Sequence, residues 1–112
     1  MEKFIQYLEQ QIAAGKVQIA GLEAEGRKDD ANFAKVRTNI YDVCKTVSQA
    51  LLRRPDAGVG AIRAQFDRFQ TAWGAALDKA KAHQDVAGIA VEETKLTALR
   101  DVIEHFREVT GE

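Results

Sequence analysis

Asp101, His105 and Glu108 are spaced four and three residues apart in "DVIEHFRE", so a helix carries all three on one face. An imidazole between two carboxylates can bind a divalent cation weakly. The same spacing makes ordinary side-chain pairs on a solvated face, and this is the expectation, with no metal ligand assigned. The di-iron carboxylate proteins built on helix bundles need Glu-x-x-His. Ala80 precedes His83 by three residues and Val102 precedes His105 by three, so neither histidine fits. Covalent haem needs Cys-x-x-Cys-His, whereas Cys44 is the single cysteine, and the only methionine is Met1. Cys44 has no neighbouring histidine or helix N-terminus to make it a thiolate and reads as a small buried hydrophobe. "AGVGAI" lacks the Lys-Ser or Lys-Thr of a phosphate loop, and no Ser-His-Asp arrangement is readable. The expectation is therefore a protein without catalytic residues, cofactor or metal, and not an enzyme.

The most conspicuous remaining stretch is "FDRFQTAWGAAL", where Phe66, Phe69 and Trp73 are spaced three and four residues apart. Such a row can line a pocket or fill a core. Helical periodicity places all three on one apolar seam, which predicts core. Gly15 is expected opposite Phe69, giving room to its ring, with Ile40 facing them. Trp73 is predicted to be largely buried with no sizeable cavity beside it. Gly74 falls one position off the seam and is read as facing outward.

The elements that position these residues follow from the same three-four periodicity. The first seam is Ile5, Leu8, Ile12, Gly15, Ile19 and Leu22, stopped at Gly26, with Asp29 or Asp30 available to cap the next helix. The second is Phe33, Val36, Ile40, Val43, Val47 and Ala50, widened by Cys44 and Leu51 and closed by Pro55. The third starts after Asp56 and runs Val59, Ile62, Phe66, Phe69, Trp73, Ala76, Ala80 and His83. The fourth carries Leu96, Leu99, Ile103 and Phe106, flanked by Val102 and Val109. Gly88 is read as the stop of helix three, and Glu92 and Glu93 as the first turn of helix four. The expected fold is all-α, an antiparallel up-down-up-down four-helix bundle filling residues 1–112 as one domain, with helices about 2–25, 30–54, 57–86 and 91–110. Paired hairpins completed by dimerisation are the alternative.

A formal net charge of −1 supplies no electrostatic reason for nucleic acid or an anionic membrane as partner. Glu2 and Glu9 interrupt what a signal peptide would need, and no uninterrupted apolar run approaches membrane-spanning length. A cytoplasmic setting is expected. Val17, Tyr41 and Leu52 read as outward apolar residues, which would mark a partner or dimer face if the fold aligned them.

The Trp73-Gly74 pair invites comparison with the small secreted helical hairpins marked by Trp-x-Gly at their bend. Here the two residues are adjacent and mid-helix, so the chain departs from that family at its defining motif. Size and helix number also resemble the histidine phosphotransfer domains, which expose a histidine followed shortly by lysine and glycine. "AHQDVAG" offers His83 and Gly88 without the lysine and at a different spacing. The leading expectation is a non-catalytic helical module acting through an unidentified protein partner or self-association. Phosphotransfer through His83 or His105 is the alternative that this resemblance implies.

Overall fold

Gly26 closes the first helix as its sequence predicts. In a computed structural model describing residues 1–111, α1 (Glu2–Ala24) ends where Gly26 takes φ 75°. The Arg27 and Gly26 N–H groups then reach back to the Leu22 and Glu23 carbonyls at 2.9 and 3.0 Å, satisfying end groups that the helix leaves open. The chain re-enters helix at once, so α2 (Lys28–Leu52) begins ahead of Asp29 and Asp30. Neither aspartate caps it; Asp30 instead receives the Arg27 guanidinium, 2.7 and 2.9 Å away. α3 (Val59–Ala82) starts behind Gly58 rather than Asp56, and no side chain caps it.

The third connection differs most from expectation. α4 (Val86–Thr110) begins five residues before the predicted Val91, and α3 ends four residues before the predicted residue 86. The left-handed residue that stops α3 is Gln84, at φ 53°, with the Asp85 N–H bonded to the Ala80 carbonyl at 2.9 Å. Asp85 then caps α4 by accepting the Gly88 N–H at 3.0 Å. Gly88 thus belongs to the first turn of α4, and Glu92 and Glu93 fall beyond that turn. A side chain at positive φ is strained where glycine is not. Gln84→Gly is therefore expected to stabilise the fold by about 0.5–1 kcal/mol, read as a raised urea midpoint at unchanged slope.

The four helices form an antiparallel up-down-up-down bundle, and no strand occurs among the described residues. α1 packs along α2 and α3 along α4, while α2 and α4 join the two hairpins. The result is flattened, 45 × 35 × 21 Å, with a radius of gyration of 15.1 Å. A compact domain of this length has about 13 Å; helices of 23 to 25 residues laid lengthwise account for the excess, and one pole is more tightly filled than the other.

The core shows which. Its fully buried large side chains are Phe4 and Leu8 at the start of α1, Ile62 and Phe66 early in α3, and Leu99, Val102 and Phe106 late in α4, with Cys44 and Ser48 late in α2. Phe4, Phe66 and Phe106 meet edge-on or tilted at centroid distances of 5.3 to 6.1 Å, tying three helices together. This is the closed pole. At the open pole, by the α1–α2 and α3–α4 turns, only the small Ala31 and Ala34 are buried, whereas the larger Ile19, Leu22, Phe33 and Ile89 are half-buried or exposed.

The aromatic row spans the change. Phe66 is core as predicted, but Phe69 and Trp73 are half-buried, stacked on each other at 4.9 Å with the Lys95 ammonium 4.9 Å from the Trp73 ring centroid. Gly15 does not accommodate Phe69; it faces Thr38 of α2. The inner face of α2 is also rotated from the predicted seam. Ala34, Thr38, Tyr41 and Ser48 are buried, whereas Phe33 and Ala50 are exposed. The cause is that α2 lies against both α1 and α4, and small side chains let α1 approach closely. Tyr41, expected outside, is 4% exposed.

The Ser48 hydroxyl is enclosed without a hydrogen-bond partner among the described residues. A buried polar group left unpaired is destabilising, and alanine also has the better helix propensity. Ser48→Ala is expected to raise stability by roughly 1 kcal/mol, measurable by denaturant unfolding.

Candidate functional site

Between the hairpins at the open pole lies a groove of about 660 Å³. One wall comes from the end of α1 and the start of α2, the other from the first half of α4. Leu22, Phe33, Ala34 and Ala90 give it an apolar floor, and Phe33 remains 38% exposed there. Phe33 escapes burial because the inner face of α2 is centred on Ala34 and Thr38. The rim is charged. Arg27 is held by Asp30, but Arg37 on one wall is bonded to the neutral Gln18. Glu93 on the facing wall has no cation within 4 Å among the described residues. Such a surface, apolar in the middle and unpaired in charge at its rim, has the make-up of a protein-binding face.

The residues singled out for chemistry lie elsewhere and make separate contacts. Asp101 accepts the Tyr41 hydroxyl at 3.3 Å, while His105 is half-buried and stacked against Tyr7, centroids 3.6 Å apart and planes 18° from parallel. Among the described residues no group of three or more His, Cys, Asp or Glu side chains converges to hold a metal. His83 is exposed at the end of α3, where its own N–H bonds the Lys79 carbonyl. Cys44 is buried, and that burial pushes its thiol up to about 12, keeping it protonated. Gly74 has no atom within 4 Å of where a Cβ would stand, so no helix packs against it.

Tyr7 and Tyr41, the chain's two tyrosines, lie edge-on with ring centroids 6.3 Å apart, and the Tyr41 hydroxyl donates to Asp101. Both phenols are raised above the ordinary 10.0, first by burial and then by neighbouring charge: for Tyr7 chiefly Tyr41, for Tyr41 the Asp101 carboxylate. The folded state thus favours the neutral phenols. Their contribution to stability is complete below pH 10 and is lost as pH rises through that value towards the folded-state pKa values. Alkaline titration should show phenolate absorbance appearing together with loss of helicity. Ordinary tyrosine ionisation with helicity intact would contradict this.

The sequence signal for the groove was weak. Phe33 falls on the predicted core seam, Glu93 in the expected first turn of helix four, and nothing in the sequence sets Arg37 apart. Among the described residues no helix is long and apolar enough to cross a membrane. Comparison of the chain with protein-family models, curated proteins and solved structures returns no match.

Proposed function

We propose that this chain is a non-catalytic, cytoplasmic helical module that works by binding protein at the open pole. The observation that carries this reading is the groove itself, with its half-covered apolar floor and its rim of uncompensated charge. The occupation of the chemically capable groups supports it: His105 lies against Tyr7, Asp101 holds Tyr41, and Cys44 is an enclosed thiol. The test is a photo-crosslinking residue placed at Phe33 in the native host, with the same residue at exposed Leu52 outside the groove as control. Protein adducts concentrated at position 33 are expected. Adducts no more frequent than at position 52 would overturn the reading.

Phosphotransfer is a second reading, favoured by the exposure of His83. Incubation with a phosphodonor should then leave an acid-labile phosphate on His83 or His105, and a chain that stays unlabelled on both ends that reading.

A further inference from the structure

The rim charges specify more than a generic partner. Arg37 and Glu93 stand on opposite walls of one groove, opposite in sign, and do not pair with each other. In a two-fold symmetric contact each surface meets its own copy, and when the axis runs along the groove a residue on one wall faces its counterpart's opposite wall. Resting on the protein-binding reading, we infer that the groove's occupant is a second copy of this chain. Arg37 of each copy pairs with Glu93 of the other, and Phe33 of each enters the other's apolar floor. Two cross-pairs form at once, and both charges that the isolated chain leaves uncompensated are satisfied. A partner carrying only one sign of charge at the contact would satisfy only one wall. Burying Phe33 together with Leu22 and Ala90 removes from water the apolar surface that the open pole exposes.

The pairing makes a specific signature in charge-reversed variants. Arg37→Glu sets two carboxylates against each other in both halves of the contact, and Glu93→Arg does the same with two cations. Each variant alone is expected to dimerise at least about 10-fold more weakly than the unaltered chain. Mixed in equal amounts, the two should form a heterodimer in which both cross-pairs have opposite signs again. Sedimentation velocity across a concentration series measures all three cases, with circular dichroism as the check on folding. Should Arg37→Glu lower helicity, Arg37→Gln and Glu93→Gln replace the reversals. Each is then expected to weaken the dimer, and added salt to weaken the unaltered dimer.

A chain that stays monomeric up to about 1 mM overturns the inference, since that rules out even millimolar affinity. A dimer indifferent to both substitutions, or a mixture that fails to recover, overturns it equally. Crosslinks from position 33 to a different protein would overturn self-pairing while leaving the protein-binding reading standing. No adduct at all would remove both.

Discussion

Replacing Phe66 by alanine is expected to destabilise the protein by about 3–5 kcal/mol, whereas Trp73→Ala should cost about half as much. Phe66 is fully buried and contacts the Phe4 and Phe106 rings, which come from two other helices. Its loss removes apolar burial, leaves a cavity and breaks two tilted or edge-on ring pairs, each worth about 0.5–1.5 kcal/mol beyond area. A single domain is stable by only about 5–15 kcal/mol, so this one change consumes a large part of the total. Trp73 is the larger side chain, yet it is half-buried at the open pole, and its stacking partner Phe69 is half-buried too. Urea unfolding of the two variants side by side is the measurement. Equal losses would mean that the open pole is closed in solution.

Gly15→Ala should destabilise by about 1–3 kcal/mol through overpacking, although alanine is the better helix former by about 1 kcal/mol. A Cβ at position 15 would overlap Thr38 Oγ1 and stand 2.9 and 3.0 Å from Thr38 Cγ2 and Cβ. Thr38 cannot simply turn away. It is buried, its hydroxyl donates to the Ala34 carbonyl at 2.7 Å, and its Cβ is too close in any rotamer. α1 must therefore lift from α2. Adding Thr38→Ala removes the two nearest obstacles, so the double variant should recover part of the loss. The cycle is expected to show a coupling of about 1 kcal/mol or more. A stabilised single variant, or strictly additive effects, would show that the helices do not touch there.

These two predictions mark where sequence reading succeeded and where it could not reach. Four helices were legible because three-four spacing recurs in every segment, and the Gly26 stop because glycine is the residue that αL geometry favours. The Gln84 stop carried no such mark, and a true first-turn glycine, Gly88, drew the boundary away from it. In α2 the buried face is made of Ala34, Thr38 and Ser48, residues too small or polar to register beside Val36, Val43 and Val47. Gly15 was correctly placed on an inner seam but against the wrong neighbour, since spacing fixes a face and not its partner. The open pole was illegible for a related reason. Periodicity says which side of a helix is apolar, and it does not say how many other helices cover that side. The groove therefore appeared only once the hairpins were seen to part.

The phenylalanine cluster of the closed pole also governs how the molecule can be held. Phe4, early in α1, and Phe106, late in α4, lie 5.3 Å apart. Anything attached at either end leaves from that pole, with Leu22 of the groove about 27 Å farther along α1. A fusion or a surface tether at either end accordingly points the groove outward and leaves it free.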